Sequence, residues 1–192
     1  MIFQEKSKEP QLSENIRKII ERSLLEKNKN NFDDIIRCKS KIMNLLTSNQ
    51  DILNTLHYQP LDSEGDINGD CYRNVCIFDF LKLPDKEALV KNYICFEIDE
   101  VCYGDKAEKR IIFRTVTHKD DCVTDWGVSR HDLLALIIRS QFDWSNILGM
   151  HLEKKSDNGG IADNNFYFRE IVYNIVTSNN VVNKKFYAKT KI

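Results

Sequence analysis

The chain has 192 residues, of which 42% are hydrophobic and 30% are charged, and its formal net charge is -1. This length suits one domain of ordinary size, and the composition is that of a globular chain and not of a disordered one. A charge so close to zero argues against a whole-molecule field for nucleic acid or an acidic membrane. No run of about 18 apolar residues occurs and the start is charged, so we expect a protein of a cytosol-like compartment without a membrane partner.

Residues 1–30 are polar and charged, with apolar side chains at helical spacing from Ile16 to Leu24 and Ser13 placed as an N-cap. We expect a short amphipathic arm there. The apolar residues between 32 and 57 recur at steps of three, four and seven, which predicts one or two helices. Asp33 or Asp34 would begin the first, with a break at Ser48-Asn49 and a final turn to Leu56.

Residues 58–90 read as a long connection, acidic and turn-rich at first and then apolar up to a proline. The clearest strand signals follow, at Tyr93–Asp99 and Arg110–His118, and they predict an antiparallel hairpin. After a helix that begins near Ser129, a strand at 150–154, a turn at 156–160 and a strand at 166–177 predict a second hairpin. The last residues form a lysine-rich tail.

This order of elements predicts an α+β fold with a four-stranded antiparallel sheet, made of two hairpins, and helices packed on one face. We divide the chain into an N-terminal helical arm (1–30), an α+β domain (31–178) and a basic C-terminal extension (179–192).

Three groups of residues suggest chemistry. Cysteines are expected to be reduced thiols in such a compartment. Five of them could supply zinc ligands together with His118, but only if the hairpin brings them together: Cys71, Cys76, Cys95, Cys102 and Cys122. The alternation Asp66-x-Asn68-x-Asp70 imitates the start of a calcium loop but lacks its glycine and closing glutamate.

Arg130-His131-Asp132, at the start of the helix, suggests a general base, although neighbouring helical residues point about 100° apart. Helix capping by Ser129 and Asp132 is the ordinary explanation. Neither a nucleophile elbow nor a Walker A or Rossmann glycine pattern occurs, so we expect no enzyme and no cofactor.

The layout of residues 32–177 resembles the tail-terminator and tail-completion family of tailed bacteriophages, which includes the lambda tail terminator. The segments that carry this resemblance are YICFEID, IIFRTVTH, GVSRHDLLALII and FYFREIVYNIV. It implies a structural virion protein, assembled in the host cytoplasm, that forms a homo-oligomeric ring, commonly of six subunits. Such a ring caps the tail tube, meets neck or head-completion proteins, and passes DNA through its lumen without specific binding.

Under this resemblance, the long loop and the basic tail supply candidate ring, axial or lumen residues: Asp62, Glu64, Asp66, Asp70, Lys184 and Lys185. Acidic side chains in the lumen would keep DNA from sticking. Three alternatives stay open at this point. They are another neck, head-closure or baseplate component, a small metal-dependent nuclease or hydrolase, and a regulatory module that binds nucleic acid through its tail.

Overall fold

The computed structural model describes residues 35–58, 68–83, 92–103, 106–145, 151–163 and 165–176, together with Glu14, Lys18 and Leu148. From residue 35 onward, the described residues form three α-helices, two short 3-10 helices and five strands. In order they are α1 (Ile35–Thr47), α2 (Gln50–Leu56), a 3-10 turn (Gly69–Tyr72), β1 (Ile77–Phe78), β2 (Asn92–Tyr103), β3 (Lys106–His118), a 3-10 turn (Lys119–Asp121), α3 (Arg130–Phe142), β4 (His151–Asp163) and β5 (Phe166–Val176).

The predicted break between the first two helices is confirmed. Asn49 is the N-cap of α2, and its side-chain oxygen accepts hydrogen bonds from the backbone N–H groups of Asp51 (2.9 Å) and Ile52 (3.1 Å). The helix ends at His57, whose backbone adopts the left-handed conformation with φ of 54°. The chain therefore turns sharply on both sides of α2, and both turns have a local cause.

The first predicted hairpin is also confirmed, with longer strands than the alternation indicated. β2 and β3 pair in antiparallel register, with Phe96 opposite Phe113 and Asn92 opposite Thr117. Their β-branched and aromatic residues suit a sheet that is covered by other elements. Side chains on alternate positions of β2 point to opposite faces of the sheet.

The second hairpin exists, and the predicted strand at 166–177 agrees with β5, but the predicted end of the first strand at 154 and the predicted turn at 156–160 are wrong. The turn-type sequence Ser156–Gly160 lies inside β4 and pairs with β5 from Val172 to Phe168. Two register shifts, between Lys154 and Ser156 and between Ile161 and Asp163, accommodate the irregular sequence as bulges. Pairing with a long neighbouring strand has overridden the local turn preference of glycine, serine and asparagine.

Among the described residues, the sheet has five strands in the order β1-β2-β3-β5-β4. The α+β class is confirmed, whereas the prediction of a four-stranded, purely antiparallel sheet is wrong because β1 adds a parallel edge. β1 pairs with β2 through Ile77 opposite Ile94. A strand of two residues is too short to show an alternating pattern in the sequence, so β1 can be recognised only in the folded sheet.

The two faces of the sheet are covered differently. The main core unites the three helices with one face, and its centre contains the fully buried side chains of Ile42, Leu46, Phe96, Phe113 and Tyr173. A smaller cluster lies on the opposite face and consists of Phe78, Tyr93, Cys95, Val116 and Phe166. Helix α1 packs on β1 and β2, and α3 packs on β3 and β5.

Little of the predicted arm and none of the predicted tail is among the described residues. Glu14 and Lys18 are helical, and their side chains form an ion pair of 2.7 Å between Lys18 Nζ and Glu14 Oε1. Across the described parts of the chain, no helix has the length and apolar character that crossing a membrane requires.

Candidate functional site

A buried polar cluster lies where α2, β2 and the start of α3 meet. The Arg130 guanidinium donates through Nη2 to Asp121 Oδ1 (3.0 Å), through Nη1 to the Thr55 carbonyl (2.9 Å) and through Nε to the Asp121 carbonyl (2.9 Å). Asn92 donates from Nδ2 to Asp121 Oδ2 (2.5 Å) and to the Leu56 carbonyl (3.0 Å). The cluster ties three elements together through one carboxylate.

The same carboxylate reaches the surface through His57. The Nδ1 atom of His57 lies 3.0 Å from Asp121 Oδ1, and the imidazole itself is largely exposed. Burial alone raises the pKa of Asp121, but the hydrogen bonds from Asn92 and His57 and the charge of Arg130 outweigh it and hold the pKa below its ordinary value. Asp121 is therefore a satisfied anion, which is a poor general base.

A groove of about 160 Å³ opens beside this cluster. It is lined by Asn54, Thr55, His57, Thr124, Asp125, Trp126, Arg130 and Leu133. His57 and Asn54 also line the neighbouring hollow with Leu53, Tyr58 and Tyr72. Two of its polar side chains, His57 and Arg130, are already paired with Asp121, and Trp126 and Leu133 are its apolar members.

The nearest approach to a catalytic pair is Cys122 with His131. Cys122 Sγ lies 3.8 Å from His131 Nδ1, and His131 Nε2 lies 3.9 Å from Asp132 Oδ2. Burial raises the pKa of the Cys122 thiol, and burial lowers the pKa of His131, whose ring stacks on Tyr167. Both shifts favour the neutral thiol and the neutral imidazole, whereas a nucleophilic cysteine needs the thiolate.

Asp132, the other member of the predicted acid-base set, belongs to an ion-pair network. It accepts a hydrogen bond from Ser129 and one from Arg169 Nη1 at 2.9 Å. Arg169 Nε continues to Asp157 Oδ1 (2.6 Å), and Asp157 also pairs with Arg139 of α3 at 3.2 Å. These contacts fasten α3 to β4 and β5. Ser129 is the N-cap residue by position, as predicted, but its side chain makes no capping hydrogen bond to the helix backbone and donates to Asp132 instead.

The predicted metal ligands lie apart wherever the structure describes them. Cys76 belongs to the core under the helices, where burial raises its pKa to about 12, and Cys95 belongs to the cluster on the opposite sheet face. Asn68 uses its side-chain oxygen to cap the 3-10 turn at Asp70 (2.9 Å) and Cys71 (3.2 Å). Among the described residues, no three His, Cys, Asp or Glu side chains gather to hold a metal ion.

Of the candidate ring and lumen residues, the structure describes Asp70. Its carboxylate is exposed and pairs with Arg73, with 2.7 Å between Asp70 Oδ1 and Arg73 Nε. The other candidates lie outside the described residues, namely Asp62, Glu64, Asp66, Lys184 and Lys185.

Large exposed apolar side chains form a feature that the sequence analysis missed. Trp126 is 78% exposed and Trp144 is 70% exposed, and they are the two tryptophans of the chain. Leu136, on the outer side of α3, is 59% exposed. The sequence pattern did not reveal this surface, because α3 carries apolar residues on more than the side that faces the core.

A family model named YomW matches residues 49–175, which is more than half of the chain. The chain belongs to the YomW family. No curated protein and no solved structure matches it. YomW is a phage-derived family name, so the match indicates a phage-associated protein and does not distinguish a tail terminator from other phage proteins.

The YomW match covers the sheet and two of the helices. It starts at Asn49, the N-cap of α2, and ends one residue before the end of β5. The polar cluster around Arg130, the ion-pair network of Arg169 and both exposed tryptophans all lie within the matched range. Helix α1 precedes it, although its side chains occupy the centre of the main core.

Proposed function

We propose that this YomW-family protein is a structural component of a tailed-phage virion, which forms a ring that caps the tail tube and joins the tail to the neck. The observation that carries the proposal is the exposure to solvent of Trp126 and Trp144, the two tryptophans of the chain. Tryptophan is enriched among the residues that contribute most to protein interfaces. Exposed large apolar side chains of this kind favour a protein that works by binding other proteins.

The sheet supports the same proposal through its free edge. β4 is the last strand of the sheet, and within the described residues it pairs only with β5. An edge strand offers unpaired backbone N–H and C=O groups to another chain. The half of β4 from residue 158 onward is largely exposed, which makes this edge accessible.

The polar groups of the described site support a role without catalysis. Asp121 is held as an anion by Asn92, His57 and Arg130, and burial keeps the Cys122 thiol protonated. Of the predicted acid-base set, Asp132 pairs with Arg169 and His131 stacks on Tyr167, so both contribute contacts within the fold. The exposed carboxylate of Asp70 agrees with an acidic lumen, and that assignment to Asp62, Glu64, Asp66 and Asp70 is part of the proposal.

The test is capping of tail tubes in vitro. The purified protein is added to tubes assembled from the tail-tube protein of the phage or prophage whose genome carries this gene. We expect rings at tube ends in electron micrographs and an arrest of tube growth. Replacing both exposed tryptophans, Trp126→Ser with Trp144→Ser, should weaken tube binding by about tenfold or more.

Ile36→Ser is the matched control, because it removes an apolar side chain that is 43% exposed at the start of α1, and its tube binding should equal that of the wild type. Bare tube ends would refute the tail-terminator proposal. Binding to a neck or baseplate protein instead would assign another station in the virion. Cleavage of DNA on addition of Mg²⁺ or Zn²⁺ would favour the metal-dependent nuclease.

A further inference from the structure

One exposed apolar surface follows the outer side of α3, and we call it the α3 ridge. It consists of Trp126, Leu133 and Leu136. Trp126 and Leu133 line the same groove, and Leu136 lies one turn further along the helix, on the same side as Leu133. The exposed residue that follows on this side, one turn after Leu136, is the uncharged Ser140. Two carboxylates border these apolar groups, namely the exposed Asp125 and Asp132, which pairs with Arg169.

A second exposed apolar surface lies in the segment that follows β1, and we call it the 80–83 segment. Leu83 is 78% exposed, and Phe80 and Leu81 are also exposed. Phe80 packs edge-on against Phe78 with ring centroids 5.5 Å apart. The carbonyl of Lys82 accepts a hydrogen bond from Cys95 Sγ at 3.9 Å, which holds the segment against β2.

The two surfaces face opposite sides of the sheet. α3 packs on β3 and β5 from the side of the main core. The 80–83 segment rests on Phe78 and Cys95, which belong to the cluster on the other side. Because the sheet separates them, the ridge and the segment of one chain cannot cover each other.

Each surface has a charged neighbour that can pair with one on the other, Asp125 on the ridge and Lys82 in the 80–83 segment, which Asp79 precedes. The exposed Asp125 is the immediate neighbour of Trp126 on the ridge. In the 80–83 segment, the ammonium of Lys82 lies over the Phe78 ring, 4.4 Å from its centroid. A cation next to apolar groups is suited to an indole ring and a carboxylate on a partner.

We infer that a second copy of this chain is the partner, and that the α3 ridge of one copy docks on the 80–83 segment of the next. Such a contact is heterologous, since each copy uses two different surfaces. Repetition of one heterologous contact closes into a ring when the rotation between copies permits it. The reading as a ring rests on the proposed function, whereas the pairing of the two surfaces rests on their composition and placement.

The test uses one charged substitution on each surface. Leu136→Asp blocks the ridge and Leu83→Asp blocks the segment, and both positions are exposed, so the fold should remain intact. Native mass spectrometry and sedimentation should show an oligomer for the wild type. Each variant alone should associate at least about 30-fold more weakly. Ile36→Asp is the matched control and should assemble like the wild type, since a carboxylate suits the first turn of a helix.

The decisive experiment mixes the two variants. Leu136→Asp keeps an intact segment and Leu83→Asp keeps an intact ridge, so one of each should form a 1:1 dimer that cannot grow further. A wild type that stays monomeric at its highest attainable concentration would overturn the inference, and so would a mixture without dimers. If Leu83→Asp still dimerises alone, the ridges pair with each other and the inference is wrong.

This outcome is separable from that of the tube assay. Variants that still cap tubes as rings would refute the docking surfaces and leave the tail-terminator proposal standing. If the wild type oligomerises and the two variants form mixed dimers, but the wild type does not bind tube ends, the docking surfaces stand and the tail-terminator proposal is refuted.

Discussion

The charged guanidinium of Arg130 is buried, because α2 and the turn after β3 surround it. All three of its nitrogens donate hydrogen bonds, to the Thr55 carbonyl and to the carboxylate and carbonyl of Asp121. A buried ion pair adds little stability over apolar packing, but removing one partner leaves an uncompensated charge. The cluster therefore makes the packing of α2, β2 and α3 against one another specific, and it makes this packing sensitive to single substitutions.

Asp121→Asn should lower the free energy of unfolding by about 3 kcal/mol at neutral pH, because the Arg130 charge then stays buried without a counterion. The folded-state pKa of Asp121 lies below its ordinary value. Its contribution is therefore complete above the unfolded pKa of about 4 and is lost as the pH falls through the folded pKa. Urea unfolding at several pH values should show the difference from the wild type shrinking below about pH 4.

A difference between wild type and variant that stays constant down to about pH 3 would contradict this account.

The sequence singled out the triple Arg130-His131-Asp132, but the essential partner of Arg130 was not predictable from it. Asp121 comes nine residues earlier, and only the 3-10 turn and the loop before α3 bring it back. Pairing across such a loop produces no periodic signal in the chain.

At the scale of elements, the 3-10 turn at Gly69–Tyr72 packs directly against the end of α1. A β-carbon on Gly69 would lie 2.1 Å from the carbonyl oxygen of Thr47, which is backbone and cannot rotate away. The absence of a side chain at Gly69 is therefore what allows the long loop to meet the helix. Arg73, which follows the turn, donates to Asn44 of α1 at 2.5 Å and so reinforces this contact.

Gly69→Ala should lower the free energy of unfolding by about 2 kcal/mol or more, since the turn and the helix must move apart. Gly159→Ala is a matched control in β4, where the nearest atom to the added carbon would be the Phe168 carbonyl oxygen at 3.7 Å. The control should be neutral or slightly stabilising, because alanine suits a strand better than glycine does. Equal effects of the two substitutions in chemical denaturation would disprove the role assigned to the close approach.

The elements with a strong period were predictable, and those defined by neighbours were not. The alternation from Tyr93 to Asp99 located β2, and the break at Ser48-Asn49 separated α2 from α1, because both signals are local. β1 and the second half of β4 are strands because another strand pairs with them. The exposed ridge of α3 was missed for a related reason, since a helix rich in apolar residues does not reveal which of them lack a covering partner.

At the scale of the whole molecule, the core extends beyond the range that the YomW model matches. Ile42 and Leu46 of α1 are fully buried among residues of the matched sheet, such as Phe96. The folding unit therefore includes α1, and the boundary of the match at Asn49 is not a boundary of the core. Two layers of structure, helices on sheet, need α1 to cover β1 and β2.

Leu46→Ala should lower the free energy of unfolding by about 3 kcal/mol, because it empties a fully buried position. Leu134→Ala, in α3 and inside the matched range, should cost a similar amount. Both variants should unfold in a single transition when followed by circular dichroism, since one core unites both helices. A separate early transition in Leu46→Ala alone would show that α1 is an independent unit.

The position of the two tryptophans has a consequence for optical experiments on this protein. With Trp126 and Trp144 both facing water, the intrinsic fluorescence of the folded chain should already resemble that of the denatured chain. The emission spectrum will therefore follow denaturation poorly. The emission should instead shift to shorter wavelength when another macromolecule covers the indoles. The two tryptophans therefore report binding of a partner directly, without an added label.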